Sequence, residues 1–76
     1  MGDNSPLRLG EFEFLVRSWK CRIEKTSKEW EVRDDTDGMR ITGFATVSGR
    51  SVKRSWVKRF LKLIRTKRGI FRPEEQ

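Results

Sequence analysis

Ser51-Val52-Lys53-Arg54-Ser55-Trp56-Val57-Lys58-Arg59-Phe60-Leu61-Lys62-Leu63-Ile64-Arg65 is the stretch on which the reading of this chain turns. At about 100° per residue, Val52, Trp56, Val57, Phe60, Leu61, Leu63 and Ile64 fill one half of a helical wheel. Arg54, Lys58, Arg59, Lys62 and Arg65 fill the other half, with Lys53 the main exception inside the apolar arc. The period predicts a long amphipathic helix, capped by Ser51 and stopped by Gly69. One face of it packs and the other is uniformly cationic.

Upstream the period shortens to two. Trp19, Cys21 and Ile23 alternate with Lys20, Arg22 and Glu24; after a turn at Thr26, Ser27 and Lys28, Trp30 and Val32 alternate with Glu29, Glu31 and Arg33. This pattern predicts a hairpin of two strands, each with one wet face. Asp34-Asp35-Thr36-Asp37-Gly38 is the strongest turn signal in the chain, because Asp-Gly tolerates positive backbone dihedrals. A third strand is expected over about residues 39–47, with Gly43 marking a bulge.

Near the start, Ser5 and Pro6 suit a helix cap and first turn. Leu9, Phe12, Leu15 or Val16, and Trp19 recur at helical spacing, which predicts a helix from about residue 10 to residue 18. The alternation Glu11-Phe12-Glu13-Phe14 is equally good strand grammar, so a strand over residues 12–17 stands as the alternative. The expected fold is α+β: a three-stranded antiparallel sheet with a long amphipathic C-terminal helix and a short N-terminal helix. The alternative is a small SH3-like barrel closed by the same C-terminal helix.

At 76 residues the chain holds one domain and one modest core, with loose ends expected at about residues 1–6 and 70–76. Only 34% of residues are hydrophobic and 38% are charged, so the three Trp and five Phe must supply much of the buried surface. Trp19, Trp30, Trp56 and Phe60 are assigned to the core. Phe44 follows the expected bulge and could instead turn outward to stack on a base. A single cysteine, Cys21, admits no internal disulfide, and neither a long apolar run nor a secretory leader is visible, so an intracellular protein of cytoplasm or nucleoid is expected.

The formal charge is +7 and unevenly spread: residues 1–38 carry seven Lys/Arg against nine Asp/Glu, net −2, whereas residues 39–76 carry eleven against two, net +9. No acidic residue lies between Met39 and Pro73. Glu–Lys pairs of the kind that support an ordinary solvated helix are therefore missing, and a polyanion would relieve the repulsion. Nucleic acid is the expected partner, DNA ahead of RNA. Arg54, Lys58, Arg59, Lys62 and Arg65 are the expected phosphate contacts, extended by Arg40, Arg50, Lys67 and Arg68. No base-reading motif is visible, and a dimer is one way to gain specificity. The rival reading is a protein-interaction module whose basic face docks on an acidic protein. A membrane-surface helix is disfavoured, because the same apolar face is needed to cover the sheet.

No enzyme is expected. The chain has no His, which removes the commonest general base and the Ser–His and Cys–His pairs. Cys21 should point inward from a strand as a small hydrophobe. Neither cofactor nor metal is expected: zinc lacks ligands, and the calcium-loop match of Asp35, Asp37 and Gly38 fails at Arg33 and Phe44. Asp34, Asp35 and Asp37 could in principle hold a magnesium ion for phosphodiester chemistry, but nothing in the sequence fixes their geometry.

Leu9-Gly10-Glu11-Phe12 leading to Trp19, the strand pair through Asp37-Gly38, and the closing helix from Val52 to Ile64 together resemble the HicA-type toxin fold, itself related in shape to double-stranded-RNA-binding domains. The resemblance spans about residues 9–65. It implies a nucleic-acid-binding scaffold without nuclease activity, because the family's ribonuclease histidine has no counterpart here. With a strand at residues 12–17, the chain instead resembles the small archaeal chromatin proteins, whose sheet binds DNA.

Overall fold

The computed structural model describes residues 5–70. Their order is β1 (Leu7–Arg8), α1 (Leu9–Ser18), β2 (Cys21–Lys25), β3 (Trp30–Asp34), β4 (Arg40–Phe44), β5 (Thr46–Val47), β6 (Ser51–Val52) and α2 (Arg54–Arg68). The expected α+β class is met, with two three-stranded antiparallel sheets rather than one: β2-β3-β4 and a short β1-β6-β5. Residues 1–4 and 71–76, where most of the loose ends were expected, lie outside the described residues.

Residues 9–18 form a helix, which removes the strand reading of residues 12–17 and with it the barrel alternative. Alternation would have placed Phe12 and Phe14 on one face. In α1, Phe12 shares its face with Val16, one turn on, and both are fully buried, while Phe14 is 67% exposed. Glu11 accepts a hydrogen bond from the Arg8 amide at 3.0 Å, half of a capping box that starts the helix at Leu9. Ser5 and Pro6 therefore precede a strand rather than cap a helix. Leu7 and Arg8 pair with Val52 and Ser51.

The meander follows the expected alternation. In β2 and β3, Cys21 faces Asp34 and Ile23 faces Val32; in β3 and β4, Val32 faces Thr42 and Trp30 faces Phe44. The bulge is at Ile41, between the Val32–Thr42 and Arg33–Arg40 pairs, and not at Gly43, which pairs with Glu31. The third strand also ends sooner than expected, at Phe44. The chain then crosses to the second sheet as β5, and the Ser48–Gly49 turn (φ 55° and 68°) folds it back at once into β6. Ser51 and Val52 are consequently strand residues, and the cap of α2 is Lys53. The stop at Gly69 is as expected: its φ of 72° is left-handed, and Ile70 N–H donates to Arg65 O at 2.9 Å.

Both helices cover the inner face of the meander. Phe12 meets Phe44 edge-on at 5.0 Å and Phe60 at 5.8 Å, tying α1, β4 and α2 through one aromatic cluster. Val16, Cys21, Val32, Val52, Val57 and Ile64 complete the core. Phe44 thus points inward. Trp19, Trp30 and Trp56 are half-buried at the core's margin rather than within it.

Candidate nucleic-acid interface

Val57, Phe60 and Ile64 fix the buried stripe of α2, and this determines what the helix shows to solvent. Lys58 and Lys62, one turn or about 6 Å apart, project from the opposite side beside exposed Ser55 and Thr66. Arg59 flanks them on the side of Trp56 and Leu63. Among the described residues, Lys58, Arg59 and Lys62 form no ion pair with a carboxylate, and neither does Arg50 in the β5–β6 turn.

The arginines of the outer sheet face, and Lys67 and Arg68 in the last turn of α2, are matched, whereas Arg8, Lys20, Lys25, Lys28 and Lys53, scattered over the surface, form no ion pair with a carboxylate among the described residues. On the outer face of the meander the register sets Arg22 opposite Arg33, Glu24 opposite Glu31, and Arg33 opposite Arg40. Like charges face to face are unfavourable, and the side chains resolve this by pairing with other neighbours. Arg22 meets Asp35, and its Nε lies 2.7 Å from Glu24; Arg33 lies 3.5 Å from Glu24 and 2.5 Å from Glu31; Arg40 lies 3.6 Å from Glu31 and 2.8 Å from Glu29. Three arginines and four carboxylates form one chain across the sheet. Most of it is solvent-exposed, so each pair adds little stability, but all three arginines of the face are already paired with carboxylates.

The C-terminal turn of α2 is bound to the acidic loop in a different way. Asp34, fully buried, accepts hydrogen bonds at Oδ1 from the Thr36 amide (2.9 Å), the Thr36 hydroxyl (2.7 Å) and Arg68 (3.1 Å). Its Oδ2 accepts no hydrogen bond of good geometry and is compensated as an ion pair by Lys67 Nζ at 2.9 Å. Lys67 also lies 2.8 Å from Asp37, and Arg68 donates to the Trp19 carbonyl at 2.6 Å. Burial alone would push the Asp34 carboxyl up. The Thr36 hydroxyl, Lys67, the Thr36 amide and the Arg68 charge outweigh it and hold the carboxyl well below the usual range. The contact with Lys67 likewise lowers Asp37, while Asp37 and Asp34 together raise Lys67. Burial raises the Cys21 thiol. A low-pKa nucleophile is the opposite case.

The nine expected contact residues thus divide. Lys58, Arg59 and Lys62 share the solvent face of α2, with Arg50 exposed nearby in sequence at the β5–β6 turn. Arg54 is half-buried and donates to the Ser5 carbonyl at 3.1 Å, and Arg65 is half-buried at the edge of the same face. Arg40, Lys67 and Arg68 are held by carboxylates. Asp35 is drawn to Arg22, and Asp34 and Asp37 converge on Lys67, so the carboxylates of the acidic loop are all paired with side-chain cations. No group of three or more metal-ligating side chains assembles among the described residues. Among these residues no helix is long and apolar enough to cross a membrane. Sequence reasoning missed the buried role of Asp34. Its only signal was position: two residues beyond Val32, it continues the inward-facing set of β3. No protein-family model, curated protein or solved structure matches the chain.

Proposed function

We propose that the protein binds nucleic acid through the solvent face of α2, with Lys58, Arg59 and Lys62 as the central phosphate contacts and Arg50, Arg54 and Arg65 at their margins. The observation that carries this reading is the contrast in charge matching. The sheet face neutralises itself, and Lys67 and Arg68 are committed to Asp34, whereas Lys58, Arg59 and Lys62, grouped on one helix face, have no carboxylate partner among the described residues. Cations in such a row release counterions from a phosphate backbone. Duplex DNA is favoured over duplex RNA, because the B-form major groove admits a helix and the A-form one excludes side chains. Arg40, Lys67 and Arg68 are left out of the central patch, since recruiting them would break existing pairs.

The test is an NMR titration of the folded protein with a short DNA duplex. Shifts clustered at Lys58, Arg59 and Lys62 support the proposal. Shifts confined to the outer sheet face, at Arg22 and Arg33, contradict it.

A further inference from the structure

We infer that the groove between the outer edge of β4 and α2 receives an unpaired nucleobase stacked on Trp56; this rests on the phosphate-binding reading above and gives that surface a second specificity. Trp56 is half-buried and lines two openings in the surface. One groove, of about 380 Å³, is lined by Glu29, Arg40, Ile41, Trp56, Arg59 and Leu63; a smaller one of about 200 Å³ lies against Ser55 and shares Trp56 and Arg59. β4 is an edge strand of its sheet, so among the described residues no further strand closes the larger groove.

The lining suits a base. The indole and Leu63 are apolar surfaces of the kind on which a base stacks, and stacking on an aromatic is tolerant of base identity. The Glu29–Arg40 ion pair, 2.8 Å long, brings an acceptor and donors together at the rim, the complement of a base edge that carries both. Gly43 is what lets the pair lie there. A Cβ at that position would stand 2.5 Å from the Arg40 guanidinium and 2.6 Å from the Glu29 carboxylate. Arg59 belongs both to the groove and to the cationic face, so a strand whose phosphates follow Lys58 and Lys62 can deliver a base beside it. A paired base shows only its edges to a protein, and its flat face becomes available only when it leaves the stack. The ligand class is therefore nucleic acid with an unpaired base, such as a bulged duplex, rather than perfect duplex alone.

The experiment compares binding of a perfect DNA duplex and of the same duplex with one unpaired nucleotide, at fixed salt, for wild type, Trp56→Leu and Trp56→Phe. Wild type should prefer the bulged duplex by about tenfold or more, the scale of one base–aromatic stack. Trp56→Leu should lose that preference while keeping its affinity for the perfect duplex, and Trp56→Phe should retain part of it. A circular dichroism spectrum of each variant controls for folding. A second readout uses unaltered protein: the Trp56 indole N–H resonance should shift with the bulged duplex and not with the perfect one. Equal wild-type affinities, a preference that survives in Trp56→Leu, or an unmoved indole resonance overturns the base site and leaves the phosphate reading standing. Failure to bind either duplex removes both.

Discussion

The guanidinium of Arg68 lies 3.1 Å from Oδ1 of the buried Asp34, so the last turn of α2 is fastened to the end of β3 by a charge-assisted hydrogen bond. Lys67 closes on the same carboxylate. The pairing holds the C-terminus of the helix, where cations also complement the backbone dipole, against the one acidic loop of the meander.

Replacing Asp34 by Ala removes the common partner of both cations together with the Thr36 bonds. Lys67 and Arg68 are only partly covered and can rehydrate, so the loss should be about 2–3 kcal/mol, within the range for hydrogen bonds to a charged group. Thermal unfolding should show a drop of about 10–20 °C for a domain of this size. Retention of the wild-type melting temperature would mean that the pin contributes nothing.

The same site sets the acid limb of stability. The folded-state pKa of Asp34 lies below its unfolded value, so its contribution is complete above about pH 4 and is lost as the pH falls toward the folded pKa. Asp37 acts in the same direction. Melting temperature should be flat from neutral pH to about pH 5 and decline below about pH 4. In Asp34→Ala the decline should be shallower; an identical acid slope in the variant would assign it to other groups.

Gly38 has a φ of 73°, and a Cβ there would meet nothing within 4 Å. The cost of a side chain is thus conformational rather than steric. Gly38→Val should destabilise by about 1–2 kcal/mol and Gly38→Asn by less, because Asn visits the left-handed region more readily. Equal melting temperatures for the two variants would contradict this.

Phe12 joins both other rings of the core cluster, and truncation to Ala should cost about 3–5 kcal/mol, comparable to the whole stability of a small domain. Denaturant titration should find Phe12→Ala largely unfolded near room temperature. A cooperative transition close to that of wild type would show that α1 is dispensable to the core.

These sites differ in how far the sequence revealed them. The helical period of α2, the alternation through β2 and β3, and the stop at Gly69 were legible because each depends on spacing or on one backbone preference. The start of α2 was misplaced by two residues. Val52 fits the apolar arc of a helix as well as the inward position of a strand, and only the pairing of β6 with β1 and β5 decides between them. The bulge went to Gly43 because glycine often marks one. Here its missing Cβ serves instead the approach of Glu29 and Arg40. The cationic face of α2 was visible in the sequence, but its division was not, since Asp34 lies 34 positions before Arg68. The sheet network was equally hidden, because a run of mixed charges does not state its register.

The most direct test of the helix-face account is the salt dependence of duplex binding, measured for wild type and for the Lys58→Ala, Arg59→Ala, Lys62→Ala triple variant. With about five phosphate contacts, wild type should give a slope of log K against log salt of roughly −4 to −5. The folded triple variant should give a slope shallower by about 3, with losses that are similar on unrelated sequences. A wild-type affinity insensitive to salt, or a triple variant with unchanged affinity and slope, would contradict the placement of the site on α2.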